Sequence, residues 1–231
     1  LGDTIMMIPI LREARNKLPV ADIYALVTEI NAEAIQACPY VNTIHLLNLE
    51  RPIDCLRTLI WLRRQRFDLV VDFEQRVSIS ALIAYFSGPG KKIGFKTKGY
   101  FRHYLYTKKV AHRKDWHEVS CMAKLVKDIT GEIIDYHPEF WVLGADRHWA
   151  GAFMDKNNLA GEKLIVIHPG CGVGHLKGAR AREWPKENFA QLADTLAKIY
   201  NARILITGGK DETALSLKIA SAMEIKPLIV T

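Results

Sequence analysis

Three places in this 231-residue chain put glycine and charge together just ahead of a helical pattern. The richest is IHPGCGVGHLKGARAREWPKENF, Ile167 to Phe189, with four glycines and four cations. Gly170, Gly172 and Gly174 free the backbone to turn N–H groups inward. Arg180 and Arg182 carry fork-shaped donors suited to phosphate oxygens. Trp184-Pro185 opens a helical pattern, with Pro185 near its first position and Glu187 in its first turn. A glycine-bearing loop that ends at a helix N-terminus is a ready anion site. No Gly-Lys-Ser/Thr follows, and no Gly-x-Gly-x-x-Gly is in place, so neither standard nucleotide loop is present. A phosphate cradle and a solvated surface loop are the two readings of this stretch.

The second place is LGDTI at the amino end. Gly2 allows a tight turn, and Asp3 is placed to cap the following helix. A carboxylate at that position could equally act as a general base. Pro9 falls within the first turns of the same helix and predicts a kink or break. The third is ITGGKDE, Ile206 to Glu212, where Gly208 and Gly209 end an apolar run. Asp211 or Glu212 there either caps the next helix or accepts hydrogen bonds from ribose hydroxyls. Asp72 and Glu74 form a weaker acidic pair with no third metal ligand in sight. His117 precedes a helix and reads as structural.

These junctions need strands and helices to hold them. DIYALVT (22–28), TIHLLN (43–48), DLVVDF (68–73), KLIVIH (163–168) and ARILITGG (202–209) are short and rich in β-branched residues. Between them lie helical spacings: Ile5, Ile8, Leu11, Ala14 and Leu18, and again Phe189, Leu192, Leu196 and Ile199. Apolar strands alternating with helices predict a parallel, doubly wound α/β sheet, in which ligands sit beyond the carboxyl ends of the strands. The alternation breaks off between about residues 96 and 136, then resumes after helical patterns around WHEVSCMAKLVKDITG and ADRHWAGAFMDKNN. A domain boundary is therefore expected between 143 and 162, giving domains 1–150 and 151–231.

Composition narrows the class. The net charge of +7 is local, because KKIGFKTKGYFRHYLYTKKVAHRK (91–114) holds nine Lys or Arg and no acid, leaving −2 for the rest. Such a patch implies a located anionic partner or a solvated basic loop. Tyr100, Phe101, Tyr104 and Tyr106 interleave with it, yet no nucleic-acid-binding signature is present, so nucleic acid is not expected as a partner. No apolar run is long enough to span a bilayer and no leader pattern is seen. The four scattered cysteines, Cys38, Cys55, Cys121 and Cys171, read as reduced thiols in a cytosolic protein. Leu1 in place of Met, and the apolar ending IKPLIVT, suggest a piece of a longer chain that lacks its first strand.

Taken together, LGDTIMMIPILREARNKLP, DLVVDF followed by FSGPGKKIGFKTKG, IHPG…REWPKENFAQLADTLA and ILITGGKDE resemble glycosyltransferase family 9, the ADP-heptose:lipopolysaccharide heptosyltransferases. The resemblance implies a GT-B fold with an acceptor domain first and a nucleotide-sugar domain second. It implies inverting sugar transfer from ADP-heptose, with no bound metal and no other cofactor, to an anionic glycolipid at the cytoplasmic face of the membrane. Asp3 falls where the family keeps its proposed base. Gly170 and Cys171 fall in the loop that lines the donor diphosphate. Arg182 stands where the family usually has a lysine, which keeps the charge and changes its geometry. The loop is also longer than in many members, so Lys177 and Arg180 are alternative phosphate ligands. Glu212, with Gly208 and Gly209, matches the ribose contact. Gly2 and, from the basic patch, Lys96, Lys98 and Arg102 are expected to meet the acceptor. The chain stops before the family's Asp-Gly…His donor motif, so it is not expected to be active by itself. The rival readings are a GT-B-like binding module and a transferase using another activated sugar.

Overall fold

The structure is a computed structural model and describes residues 1–88, 90–133, 135–171 and 184–231. The chain forms two compact units, Leu1–Leu143 and Gly144–Thr231. Every strand pairing described in them is parallel.

The first unit begins with α1 (Gly2–Lys17), followed by β1 (Tyr24–Val27), the short α2 (Glu29–Ala32), β2 (Thr43–Leu46) and α3 (Pro52–Gln65). Then come β3 (Leu69–Asp72), α4 (Ser78–Phe86), β4 (Lys91–Lys96), a 3-10 turn at Phe101–Leu105, β5 (Lys108–Ala111) and α5 (Glu118–Thr130). β1 pairs with β2, and β3-β4-β5 form a second sheet. Helix α1 packs along α5. Ile10 from α1 and Val119, Met122 and Leu125 from α5 bury Ile93 and Phe95 of β4. Ile8 and Leu11 pack instead with Ala34, Ile35 and Cys38.

Two expectations change here. Pro9 neither ends nor interrupts α1, which continues to Lys17 with Pro9 fully buried. A proline inside a helix costs about 3 kcal/mol, and the burial of neighbouring Ile8, Ile10 and Leu11 on two sides offsets it. The α/β alternation also does not stop at the basic patch, because the patch itself contains β4 and β5. Lysine at the strand ends conceals the pattern, while inside β4 Ile93 and Phe95 are 0% exposed.

The second unit contains α6 (Gly144–Lys156), β6 (Leu164–Ile167), α7 (Lys186–Tyr200), β7 (Arg203–Thr207), a 3-10 turn at Lys210–Glu212, α8 (Thr213–Ala222) and β8 (Leu228–Val230). The strand order is β6-β7-β8. On α7 the buried stripe is Ala190, Ala193, Asp194 and Ala197, whereas Leu192 and Ile199 of the expected stripe face solvent. Small residues let the helix approach Ile204, Ile206 and Ile219 closely. The Asp194 carboxylate accepts from the backbone N–H groups of Glu224 (2.8 Å) and Ile225 (2.9 Å), which fixes the entry into β8.

Candidate functional site

The second unit collects five of the residues singled out by sequence, Gly170, Cys171, Gly208, Gly209 and Glu212. Pairing of Ile167 with Ile206 brings the carboxyl ends of β6 and β7 level. His168 to Cys171 leave one strand beside Gly208 and Gly209 leaving the other. The 3-10 turn then folds Glu212 back between them. Its N–H donates to Gly209 O at 2.9 Å, and its Oε2 accepts from the Gly209 N–H at 3.0 Å. The carboxylate is 8% exposed, and His168 Nε2 lies 3.9 Å from Oε2. His168 Nδ1 lies 3.3 Å from Thr207 Oγ1. Contact restricts two glycine positions, Gly170 severely and Gly208 by a few tenths of an ångström. A Cβ on Gly170 would lie 2.0 Å from Glu212 Oε1, and one on Gly208 would lie 3.2 Å from Oε2. Gly208 also donates to Val230 O at 3.1 Å, tying the turn to β8.

Glu212 is thus an acceptor-only group held in one pose at the ligand end of a parallel sheet. Such a group suits the vicinal hydroxyls of a ribose. Cys171 follows Gly170, half-buried. Lys177, Arg180 and Arg182 lie outside the described residues. Pro185 caps α7 in place of entering it, and the Trp184 ring meets Phe189 edge-on at 4.9 Å.

In the first unit Gly2 and Asp3 are exposed in the first turn of α1. The N-cap is Leu1, with no side-chain capping bond, so Asp3 does not cap the helix as expected. The backbone enters the helix two residues earlier than an Asp3 cap would place it. Asp3 is left beside the positive end of the helix, where negative charge is favoured. Lys96 and Lys98 are exposed at the carboxyl end of β4.

Arg102 behaves otherwise. It is not on the basic surface but 3% exposed, with Nη2 bonded to Asp72 Oδ2 (2.6 Å), Ser80 Oγ (2.8 Å) and Tyr106 Oη (2.7 Å). Tyr106 also donates to Asp72 Oδ2 at 2.6 Å. Burial first, then the Asp72 charge and this bond, push the Tyr106 hydroxyl well above its ordinary range. The Tyr106 ring covers Gly94, where a Cβ would lie 2.3 Å from it. Asp72 is therefore spent on a buried ion pair. Glu74 is spent on the backbone N–H groups of Gln75, Arg76 and Val77. Neither stands as a metal ligand. His117 caps α5, accepting from the Val119 N–H at 3.4 Å.

Sequence reasoning missed the Asp72–Arg102–Tyr106 network and the neighbours of Glu212, His168 and Thr207. No local spacing signals that network, because its partners come from β3, from α4 and from the end of the 3-10 turn.

Parallel α/β units with glycine turns at their strand ends are Rossmann-like, and solved structures identify the fold as GT-B. A glycosyltransferase family 9 structure from Veillonella parvula superposes with a TM-score of 0.82 at 18% identity, covering 100% of this chain and 67% of that one. The ADP-heptose lps heptosyltransferase II of E. coli gives 0.70 at 19% identity, over 95% and 65%. E. coli heptosyltransferase WaaC with ADP gives 0.71 at 18%, over 100% and 72%. The chain thus spans about two thirds of the length of these proteins. The family model for glycosyltransferase family 9 (heptosyltransferase) matches residues 56–230, and the chain belongs to that family. Asp3 lies outside the matched range. No curated protein matches.

Proposed function

We propose that the protein moves a sugar, heptose, from ADP-heptose to the lipopolysaccharide core or a related anionic glycolipid, inverting the anomeric carbon and using neither metal nor other cofactor. The observation that carries this reading is Glu212 wedged between Gly170 and Gly209 at the ends of β6 and β7. Two of the similar structures bear printed names that include ADP or ADP-heptose. In this proposal Glu212 accepts from the ribose hydroxyls. The Gly170–Cys171 backbone, and one or more of Lys177, Arg180 and Arg182, face the diphosphate. Asp3 takes the proton of the acceptor hydroxyl as its oxygen bonds to the anomeric carbon. The bond from that carbon to the diphosphate oxygen breaks, and ADP leaves with the electron pair. Donors arranged around the growing negative charge act where they are most effective, and the base contributes on the order of 10²–10⁴-fold. In the same proposal Gly2, Lys96 and Lys98 meet the acceptor. The enzyme would work at the cytoplasmic face of the membrane, bound peripherally; among the described residues no helix is long and apolar enough to cross it.

The test is calorimetric titration of the intact protein with ADP, GDP and UDP, set beside ADP release from ADP-heptose with acceptor. Glu212→Ala should weaken ADP by about tenfold, the loss of one charge-assisted hydrogen bond. Asp3→Ala should abolish transfer and leave ADP affinity unchanged. Unaltered turnover in that variant removes Asp3 as the base, and ADP binding without any transfer reduces the protein to a binding module.

A further inference from the structure

The 3-10 turn Phe101–Leu105 has an inverted burial pattern. Its arginine is inside, with Arg102 3% exposed, while Phe101 and Tyr104 are 77% and 69% exposed. A 3-10 helix has three residues per turn, so positions 101 and 104 stack on one face. Their rings lie nearly parallel, 11° apart with centroids at 6.4 Å. Lys109 Nζ sits 5.6 Å from the centre of the Tyr104 ring. Tyr100, immediately before, is 39% exposed, and Lys98 is exposed two residues earlier.

What holds the rings outward is the buried side of the turn. Arg102 is bound to Asp72, Ser80 and Tyr106, which come from β3, from α4 and from the end of the turn. Rolling the turn to bury Phe101 and Tyr104 would tear that ion pair apart in a dry environment, at a cost few rearrangements offset. The aromatic face is therefore presented rigidly, inside a stretch with nine cations and no acid.

From this we infer that Phe101 and Tyr104, flanked by Lys98 and Lys109, form the element that seats the protein in an anionic lipid bilayer. Amphipathic rings settle at headgroup depth, and neighbouring lysines add attraction to acidic lipid. Charge complementarity selects the bilayer over an apolar protein face. The sequence carries no nucleic-acid-binding signature to accompany the rings, which favours the bilayer over a single strand. The inference deepens the proposed function and rests on its membrane-borne acceptor.

The experiment is co-sedimentation with phosphatidylcholine vesicles, with and without phosphatidylglycerol, at low and high salt. Wild type should bind only the acidic vesicles and should be released by salt. The double variant Phe101→Ala/Tyr104→Ala should lose about tenfold or more in partitioning, since both rings leave water on insertion. Its circular dichroism and melting should match wild type, because the Arg102 network is untouched. Equal partitioning of the double variant overturns the inference. So does an oligonucleotide that binds wild type and not the variant. With a deacylated, water-soluble acceptor, transfer should be the same in both proteins. Loss of that transfer in the variant alone assigns the rings to the acceptor pocket and overturns the inference. Absence of transfer in both overturns the functional reading and leaves the vesicle result standing.

Discussion

Gly170→Ala tests the site more sharply than removal of any charged group. The Cβ it adds would lie 2.0 Å from Glu212 Oε1, 2.1 Å from Cδ and 2.3 Å from Oε2. Non-bonded atoms settle at about 3.5 Å, so the carboxylate must retreat by more than about 1 Å. That movement breaks the 3.0 Å bond from the Gly209 N–H. The φ of Gly170 is not in the left-handed range, so alanine's backbone preference adds nothing. Losing a buried hydrogen bond to a charged acceptor costs about 1.5–3 kcal/mol, and Glu212→Ala loses the same bond. The two penalties therefore overlap. The double variant should be destabilised by about 2 kcal/mol where additivity demands about 4, a coupling of about 2 kcal/mol. Urea unfolding of the four proteins, followed by hydrogen exchange in β7 and α7, measures it. Penalties that add to within about 0.5 kcal/mol would show that Gly170 and Glu212 do not touch, and the donor-side geometry would fall with them.

Arg102→Met should cost about 3–5 kcal/mol, the loss expected when a buried pair is broken and Asp72 is left unpaired; adding Asp72→Asn should restore much of it in the same unfolding assay. A pH effect is expected at the segment that crosses α1. There Glu139 accepts from the Tyr40 hydroxyl at 2.6 Å and from Arg12 at 3.1 Å. The Tyr40 bond first, then Arg12, hold the Glu139 carboxyl below its usual range against the opposing effect of burial. The same bond pushes the Tyr40 hydroxyl up to about 12. A depressed carboxylate adds stability that is fully present above the unfolded value of about 4.3 and is lost as pH falls through the folded one. A raised tyrosine adds stability that is fully present below its unfolded value of about 10 and is lost as pH climbs through the folded value. Tyr40→Phe should therefore flatten both the acid and the alkaline arm of the urea-midpoint profile, and an unchanged profile would dismiss the bond.

Much of the architecture was legible because it follows periodicity. The five apolar runs at 22–28, 43–48, 68–73, 163–168 and 202–209 each contain a strand, and the two spaced sets fall on α1 and α7, with only Leu18 just past the end of α1. β4 and β5 escaped notice because lysine supplies their ends; only the pairing of Ile93 and Gly94 with both β3 and β5 shows β4 to be interior, with β5 at the edge of the same sheet. The Gly-Gly-x-x-Glu spacing of residues 208–212 was likewise readable, since a turn that needs glycine and an acid that caps it are local chemistry.

Sequence by itself determined the class: parallel α/β units, glycine turns at strand ends, and a basic segment inside an otherwise slightly acidic chain. These depend on neighbours within a few residues, where spacing and residue type dictate conformation. Tertiary structure decided what each polar group does. It turned Arg102 inward to Asp72, thirty residues away in the chain, and turned Phe101 and Tyr104 outward. It also closed Gly170 onto Glu212 across two strands. Burial and long-range pairing set the energy of a charge or a ring, and neither is written in the residues beside it.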